Sequence, residues 1–381
     1  MQFRDLQKQY EVLKEDIDRS VAGVCSGAHF ISGQQVRELE EQLASYVGVK
    51  HCITCANGTD AITLAIKAWG LGEGDAVFVP DFTFFSSGEC PAGEDCTCVF
   101  VDVDSRTFNM DPIRLEEAIL KVRKDGLYEP KAVVAVDLFG QPADYPKIRQ
   151  ICDKYGLLLL EDGAQGFGGE IEGRKACSFG DISTTSFFPA KPLGCYGDGG
   201  AIFTDNDEWA ELLRSLAVHG KSGNDKYNNV RLGINSRLDT IQAAILLVKF
   251  KAFRDYEVRD INRVADMYID EFKRSGLDDK IILPYVKDGF YSSWAQFTIR
   301  LPEGFDRDGL QSVLKEHGIP TMVYYMKPMH QQGAFANTYS AQADCRVTEE
   351  LCSRVLSLPI HPYMTDEQVR SVVEGIMIQK K

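Results

Sequence analysis

Short apolar segments alternate with longer amphipathic ones from residue 51 to residue 219, and this alternation limits the possible folds more than any other feature. The apolar segments have the length of strands; they cover residues 51–56, 75–80, 97–103, 132–138, 157–161, 182–188 and 200–204. Helices are predicted over 57–69, 83–92, 111–124, 143–155 and 207–219, and two more over 1–25 and 34–47. Strands that are apolar throughout and alternate with helices form mainly parallel sheets covered on both faces. The pattern therefore predicts a large α/β domain built on such a seven-stranded sheet.

The pattern changes near residue 239. Residues 239–275 have the spacing of one helix, which is too long for an ordinary βαβ unit. Beyond it, strands are predicted over 295–301 and 321–325, and helices over 307–317 and 366–378. We therefore expect two parts: a large domain over residues 1–240, and a long connecting helix with a smaller α+β domain over residues 241–381.

The chain is acidic, which narrows the kinds of partner. It has 42 Lys and Arg against 56 Asp and Glu, a formal net charge of −14. Binding of nucleic acid needs a basic face, so no nucleic acid is expected, although an anionic small molecule responds only to the field of its own site. No apolar run approaches the roughly 20 residues of a membrane helix, and the amino end lacks the apolar core of a signal peptide. These features predict a cytoplasmic protein with no membrane partner.

The eleven cysteines are expected to be reduced thiols in that compartment. Cys52 and Cys55 have the spacing of some redox and metal sites, with Cys96 and Cys98 as candidate further ligands. However, Cys52 and Cys55 lie on a predicted strand, where residues three apart point to opposite faces. We therefore predict structural thiols and no metal site.

Lys191 is the residue that most suggests covalent chemistry. It follows the predicted strand 182–188 and precedes a glycine-rich loop, with a proline two residues before it and another directly after it. These prolines exclude it from the interior of a helix. Lysine is the usual side chain for a Schiff base with a carbonyl, and burial lowers its pKa enough to make it nucleophilic. The alternative is an exposed lysine in a surface loop.

Other polar residues follow predicted strands at the same edge of the sheet, where parallel sheets bind their ligands. Asn57-Gly58-Thr59 begins a helix, whose free N–H groups attract anions, and Ser186 offers a further hydroxyl; the alternative is a plain Asn cap. Asp162 follows four leucines and Glu161. A buried carboxylate needs a cationic partner, and a protonated pyridine nitrogen would be one.

Three phenylalanines follow the second predicted strand: Phe82, Phe84 and Phe85. Each offers a ring face on which a flat heteroaromatic molecule could stack, and the alternative for each is simple packing in the core. A lysine, an aspartate, a stacking ring and an anion site are together the parts that a pyridoxal phosphate site needs.

The sequence resembles the sugar aminotransferases of the DegT/DnrJ/EryC1/StrS family over nearly its whole length. The resemblance rests on motifs in the family's order and spacing: Asn57-Gly58-Thr59-Asp60-Ala61, Pro80-x-Phe82-Thr83-Phe84, Glu161-Asp162-Gly163-Ala164-Gln165, Ser186-Phe187-Phe188-Pro189-Ala190-Lys191, Gly197-Asp198-Gly199-Gly200-Ala201 and Gly233-Ile234-Asn235-Ser236-Arg237-Leu238-Asp239. It implies the type I fold of aspartate aminotransferase, with pyridoxal 5′-phosphate as cofactor.

The resemblance also implies roles for individual residues. Lys191 would bind the cofactor as a Schiff base and then carry the proton during transamination. Asp162 would pair with the pyridine nitrogen, and Gln165 would lie by the phenolic oxygen. Gly58, Thr59 and Ser186 would hold the phosphate, and the ring of Phe84 would stack on the cofactor. Asn235 would reach the phosphate of the neighbouring subunit, in a homodimer with shared active sites.

A lysine at position 191 favours transamination over the dehydration that relatives with histidine there carry out. The implied reaction moves an amino group, usually from L-glutamate, to a keto carbon of a nucleotide-linked sugar. The resemblance is closest to enzymes that aminate C3 of UDP-2-acetamido-2-deoxy-3-oxo-D-glucuronate, which places the reaction in polysaccharide and O-antigen biosynthesis. The alternatives are a dTDP-linked 3- or 4-keto-6-deoxy sugar as acceptor, and a pyridoxal-phosphate-binding regulator that does no chemistry.

Candidates for substrate binding lie after the cofactor motifs. Arg231 is the candidate cation for a uronate carboxylate, and its alternative is a surface ion pair. Tyr324, Tyr325 and His330 are candidates to line the sugar pocket, and their alternative is the core of the smaller domain.

Overall fold

The structure is a computed structural model that describes residues 1–223 and 228–378. Its strands are β1 (His51–Cys55), β2 (Asp75–Pro80), β3 (Thr97–Val101), β4 (Glu129–Val136), β5 (Leu158–Asp162), β6 (Glu170–Ile171), β7 (Arg174–Lys175), β8 (Ile182–Ser186), β9 (Gly200–Thr204), β10 (Phe290–Tyr291), β11 (Phe297–Arg300) and β12 (Val355–Leu358). Its α-helices are α1 (Leu6–Gly27), α2 (Gln34–Val47), α3 (Gly58–Trp69), α4 (Ser86–Gly93), α5 (Pro112–Asp125), α6 (Tyr145–Tyr155), α7 (Asp207–Leu216), α8 (Thr240–Ala252), α9 (Val258–Ser275), α10 (Arg307–Glu316), α11 (Arg346–Arg354) and α12 (Asp366–Ile378). Among these helices none is both long enough and apolar enough to cross a bilayer.

The central sheet has seven strands in the order β1-β9-β8-β5-β4-β2-β3. Its neighbours from β8 to β3 are parallel, whereas β9 is antiparallel to both β8 and β1. These are the seven apolar segments of the sequence, so the prediction of a large, mainly parallel α/β sheet is confirmed. The strands can be apolar on both sides because helices cover both faces of the sheet.

Alternate residues of a sheet strand enter different cores. Val77 and Val79 of β2 pack in the cluster that contains α3, whereas Phe78 packs with α5 and α6 on the other face. This follows from the two-residue repeat of a strand. The same geometry separates Cys52 from Cys55, which enter different clusters as predicted. All eleven cysteines lie in the described part of the chain and are unpaired thiols.

The long helix predicted over 239–275 is present, but it is not regular. A π-helical turn over Phe253–Glu257 joins α8 to α9, so the chain stays helical while the hydrogen-bond spacing widens there. Helix α9 buries Val264, Tyr268 and Phe272, three to four residues apart, in the core of the C-terminal part. Its opposite face carries charged residues, as expected for an amphipathic helix.

The C-terminal part departs from the prediction: strand β10 and helix α11 are not predicted, and two further strands differ. Strand β12, which pairs antiparallel with β11, is not predicted, because α11 ends at Arg354 and the strand begins at the next residue without a turn signal. The strand predicted over 321–325 is wrong. Met322 makes one bridge to Ser357, after which the chain leaves the sheet edge, and Tyr325 packs against Phe82 of the large sheet domain.

Contacts between distant segments tie the chain together. Strand β10 pairs with β6 in a small sheet of order β10-β6-β7. At the amino end, the Phe3 carbonyl accepts a hydrogen bond from the Ile360 N–H at 3.2 Å, and Arg4 Nη2 donates to the Pro192 carbonyl at 3.4 Å. The segment before α1 therefore contacts both the glycine-rich loop and the C-terminal part.

The domain division at residue 240 stays a prediction.

Candidate active site

A cleft of about 880 Å³ opens at the carboxyl ends of β5 and β8. The start of α3 lines it on one side, and the segment 324–332 contributes further lining residues. The cleft brings together most of the residues singled out from the sequence: Gly58, Thr59, Phe84, Asp162, Gln165, Ser186, Lys191, Tyr324 and Tyr325. Those from the sheet converge because parallel strands end at the same edge of a sheet, whereas Tyr324 and Tyr325 come from the C-terminal part.

Lys191 lies in a turn after β8, where its N–H donates to the Phe188 carbonyl at 2.9 Å. Its side chain is half-buried and lines the cleft. Burial lowers the pKa of Lys191, the carboxylate of Asp162 acts in the opposite direction, and the guanidinium of Arg4 lowers it further. A lysine with a lowered pKa carries more of the neutral amine near pH 7, which is the form that attacks a carbonyl.

Asp162 is the last residue of β5 and is 5% exposed. Its carboxylate accepts hydrogen bonds from the Ser87 hydroxyl at 2.8 Å and from the Ala164 N–H at 3.2 Å. Burial raises the pKa of Asp162, whereas these hydrogen bonds and the charge of Lys191 lower it. A further cation bound beside the carboxylate would stabilise its charged form in the same direction.

The start of α3 approaches the end of β8 more closely than a side chain would allow. A Cβ built on Gly58 would lie 2.8 Å from the Cβ of Ser186, well inside van der Waals contact. Asn57 caps the helix, since its side-chain oxygen accepts the Asp60 N–H at 2.8 Å, so the Asn-cap interpretation is correct for that residue. The first-turn N–H groups, together with the hydroxyls of Thr59 and Ser186, form a site suited to a phosphate.

Of the three phenylalanines after β2, Phe84 is the one whose ring faces the cleft and remains 54% exposed. Phe82 is 1% exposed and packs edge-on against Tyr325, so the core interpretation is correct there. Phe85 also lines the cleft, but its ring packs against Phe335 with centroids 5.7 Å apart. Phe84 is therefore the ring with the most free surface for stacking.

Gln165 is held on both sides of its amide. Its Oε1 accepts the Phe139 N–H at 2.8 Å, and its Nε2 donates to the Tyr325 hydroxyl at 3.0 Å. Burial raises the pKa of Tyr325, so this hydroxyl keeps its proton. The side chains of Gln165 and Tyr325 thus stand at the cleft in a defined orientation.

Sequence reasoning missed several residues at the cleft. Ser87 is one, and it donates to Asp162 from the buried side of α4. The only signal for it is its place just after the motif that ends at Phe84. Gln296, Lys327 and Gln332 also line the cleft. They come from the C-terminal part of the chain, whose position against the sheet no local pattern reveals.

Arg231 and Asn235 do not line this cleft. Both are exposed, and Arg231 belongs to a second cavity of about 640 Å³ that its own segment forms with His219 and Lys221. Its Nη1 donates to the Ser215 hydroxyl. Within one chain, neither residue is therefore placed to contact a cofactor or substrate in the cleft.

His330 does not line the cleft either. It is 5% exposed. Its ring Nδ1 lies 2.7 Å from Asp81 Oδ2, and its backbone N–H donates to Asp81 Oδ1 at 2.8 Å. Hydrogen bonding to Asp81 raises the pKa of His330. The ligand atoms of Asp81, His330 and Cys345 lie within 4.8 Å of one another. Because each carboxylate oxygen of Asp81 already meets His330, the geometry is that of a buried hydrogen-bonded pair between the residue directly after β2 and the C-terminal part.

The residues at the cleft fit pyridoxal phosphate. Asp162 is a buried acceptor that still lacks a full cationic partner, and Phe84 offers a free ring face. At Gly58 a side chain would fill the space beside the two hydroxyls that would hold the phosphate. Lys191 supplies an amine at the same cleft. The donor set therefore matches the aldehyde, ring and phosphate of this cofactor.

Comparison with known proteins gives a consistent result. The family model described as DegT/DnrJ/EryC1/StrS aminotransferase family matches residues 11–377. The chain is 40% identical over 376 residues to UDP-2-acetamido-2-deoxy-3-oxo-D-glucuronate aminotransferase of Pseudomonas aeruginosa, and the match covers 99% of each protein. A solved DegT DnrJ EryC1 StrS aminotransferase from Brucella abortus superposes with a TM-score of 0.95 at 43% identity, covering 100% of this chain and 99% of that one.

The cofactor is supported by a third similar protein, NtdA of Bacillus subtilis, solved with bound cofactor PMP, the amine form of pyridoxal phosphate. It superposes with a TM-score of 0.87 at 32% identity and covers 96% of this chain and 81% of that chain. The family match includes both the sheet that carries Lys191 and the C-terminal part that carries Tyr325. The chain therefore belongs to the DegT/DnrJ/EryC1/StrS aminotransferase family and is a pyridoxal-phosphate-dependent aminotransferase.

Proposed function

We propose that this protein moves an amino group from L-glutamate to a nucleotide-linked sugar, at C3 of UDP-2-acetamido-2-deoxy-3-oxo-D-glucuronate. The Pseudomonas aeruginosa relative that bears the name of this acceptor is 40% identical over almost the full length. The observation that carries the proposal is that Lys191 and Asp162 line one cleft beside the anion site at the start of α3. That combination suits an enzyme rather than a sensor, because a sensor needs no group that moves protons.

The side chains divide the work of this reaction. When bound, pyridoxal phosphate supplies a carbonyl that takes up the amino group and a ring that accepts electrons. Lys191 would be the covalent attachment point. Its Nζ would also be the group that takes a proton from the amino-bearing carbon of glutamate and gives one to the sugar carbon that gains the amino group. Asp162 would stabilise a protonated ring nitrogen, and Gln165 would hold the ring on the side of its phenolic oxygen.

We also propose that the working unit is a homodimer with shared active sites. Arg231 and Asn235 are exposed and lie outside the cleft of their own chain. Apolar side chains beside them are exposed as well: Leu232 by 94% and Val230 by 52%. An exposed apolar segment of this kind is typical of a surface that another molecule covers. In the dimer, Asn235 reaches the phosphate site of the other subunit, and Arg231 is available to its uronate carboxylate.

The proposed location is the cytoplasm, where the unpaired thiols stay reduced.

A half-reaction screen tests the proposed substrates. The purified holoenzyme is mixed with L-glutamate, and the absorbance of the bound cofactor is followed; conversion to the amine form is expected. Candidate keto sugars are then added, and the UDP-linked 3-oxo-uronate is expected to restore the aldehyde form fastest. Faster recovery with a dTDP-linked 3- or 4-keto-6-deoxy sugar would replace the acceptor. A bound cofactor that glutamate does not convert would overturn L-glutamate as the amino donor.

The covalent role of Lys191 has its own test. Borohydride is expected to fix the cofactor onto wild-type protein and to leave Lys191→Ala unlabelled, with loss of both half-reactions in that variant. Lys124→Ala is the matched control, because Lys124 is exposed at the end of α5, outside the cleft. Labelling of Lys191→Ala at the wild-type level would remove the assignment.

A further inference from the structure

The cleft contains a cation that the chemistry above does not use. Lys327 lines the cleft, is exposed, and pairs with no acidic side chain in the part of the chain that the structure describes. Its backbone carbonyl accepts a hydrogen bond from Gln332 Nε2 at 3.3 Å, and Gln332 lines the cleft too. The lysine is therefore carried by a segment that is tied in place, while its ammonium group remains free.

The charge of the lining shows why a free cation matters. The described lining residues include three carboxylates, Asp60, Asp162 and Asp198, against two lysines, Lys191 and Lys327. A lining with more negative than positive side chains repels an anionic substrate unless a cation offsets the negative charge locally. Lys191 and Asp162 are both committed to the cofactor, which leaves Asp60 and Asp198 against Lys327. Within the described lining of one chain, Lys327 is thus the remaining cation that can meet a negatively charged substrate.

The position of Lys327 indicates which substrate it meets. Asp162 is 5% exposed and deep, whereas Lys327 is exposed and so belongs to the mouth of the cleft. Glutamate is small and reacts beside Lys191. A nucleotide sugar is much longer, so its outer portion extends from the reacting carbon toward the mouth. An exposed cation there meets the long acceptor rather than the amino donor.

We infer that Lys327 is a specificity-determining residue that binds an oxyanion of the nucleotide-sugar acceptor at the mouth of the cleft. This inference rests on the proposed function. The oxyanion has two sources in the proposed acceptor, the diphosphate and the uronate carboxylate. Lysine acts on either as a point charge without demanding a fixed geometry. Arg231 of the partner subunit, by contrast, is assigned only to the carboxylate.

Equilibrium binding tests this without turnover. The holoenzyme is titrated calorimetrically with UDP-N-acetylglucosamine, which has the diphosphate alone, and with its 6-carboxylate analogue, UDP-N-acetylglucosaminuronate; neither carries a keto carbon. Lys327→Gln is expected to weaken binding by up to about fivefold, the upper range for an exposed ion pair. Equal weakening of both ligands assigns the diphosphate, and weakening of the uronate alone assigns the carboxylate. Lys124→Gln is the matched control.

Two further readouts separate a charge effect from a packing effect. Lys327→Arg keeps the charge and is expected to restore most of the affinity. Raising the salt concentration is expected to shrink the difference between wild type and Lys327→Gln, because exposed charges are screened. Unchanged affinity in Lys327→Gln, or a loss that salt and Lys327→Arg leave unaltered, overturns the inference alone. A wild-type holoenzyme that binds neither ligand overturns the proposed acceptor class, and the inference falls with it.

Discussion

Gln165 donates a hydrogen bond from Nε2 to the Tyr325 hydroxyl at 3.0 Å, although 160 positions separate them in the sequence. Gln165 follows β5 of the central sheet, and Tyr325 belongs to the segment that leaves the edge of β12. Both residues line the cleft. This hydrogen bond therefore joins the C-terminal part of the chain to the sheet at the place where the cofactor is proposed to bind.

Tyr325→Phe tests the strength of that connection. The variant keeps the ring but removes the acceptor, which leaves a part-buried amide group without its partner. We expect the free energy of unfolding to fall by about 1 kcal/mol in urea titrations. Tyr128→Phe is the control, because the Tyr128 hydroxyl makes no hydrogen bond within the described residues. Equal losses in the two variants would show that the bond adds nothing.

Asp162→Asn separates catalysis from stability. The amide keeps an acceptor for Ser87 but loses the charge that would hold a proton on the ring nitrogen. We expect the rate of the glutamate half-reaction to fall by roughly 10²–10³, the usual effect of removing one electrostatic contact to the reacting group. The stability of the apoprotein should change by no more than about 1 kcal/mol, because the amide gives up one of the two accepted hydrogen bonds but removes a buried charge that lacks a full partner. Asp270→Asn, on the exposed face of α9, is the control.

Gly58→Ala tests the anion site. The added Cβ would meet Ser186 at 2.8 Å, so the start of α3 or the end of β8 must move. We expect the dissociation constant of pyridoxal phosphate to rise by about tenfold or more, because overpacking of this kind costs about 1–3 kcal/mol. Gly23→Ala, where no atom lies within 4 Å of the new methyl group, should stabilise α1 by about 0.5–1 kcal/mol. A wild-type affinity in Gly58→Ala would contradict the assignment.

His361 gives the fold a defined response to acid. It is 2% exposed, and neither ring nitrogen has a hydrogen-bond partner among the residues that the structure describes. Burial lowers the pKa of His361 to about 4, with Asp5 acting weakly in the opposite direction. Between pH 6.5, the ordinary value, and about 4, the native state therefore binds fewer protons than the unfolded state. Its stability falls as the pH drops through this window, by at most about 3 kcal/mol.

His361→Phe removes this response, since the ring is similar in size and does not titrate. Urea unfolding at pH 6.5 and at pH 4.5 should show a smaller loss of stability on acidification for the variant than for the wild type. His29→Gln, at an exposed position, is the control and should keep the wild-type difference. Identical losses in wild type and His361→Phe would place the acid response elsewhere.

The sheet and the meeting of Lys191 with Asp162 could be predicted because both depend on local patterns. Apolar segments of strand length select a covered parallel sheet, and a parallel sheet brings its strand ends to one edge. Asp162 ends β5 and Lys191 follows β8, its neighbour in the sheet. Neither inference needs any knowledge of how the C-terminal part is placed.

The remaining features depend on contacts between distant segments. Residues 321–325 have the composition of a strand, but the chain leaves the β12 edge after Met322 and carries Tyr325 to Gln165 instead. His330 is a candidate for sugar binding in the sequence. In the structure, Asp81, 249 positions earlier, occupies both its backbone N–H and its ring Nδ1. Lys327 lies in none of the sequence motifs that point to the site. Tertiary packing decides each of these, and a single sequence does not record it.

The contact between Arg4 and the Pro192 carbonyl reaches the residue directly after Lys191. The guanidinium that makes this contact also lowers the pKa of Lys191. The carbonyl of the neighbouring Phe3 accepts a hydrogen bond from Ile360, near the other end of the chain. A tag, linker or deletion at the front of the polypeptide that displaces Arg4 is thus expected to raise the pKa of Lys191. A recombinant version with an altered leader would need its activity compared against untagged material before any number from it described the native enzyme.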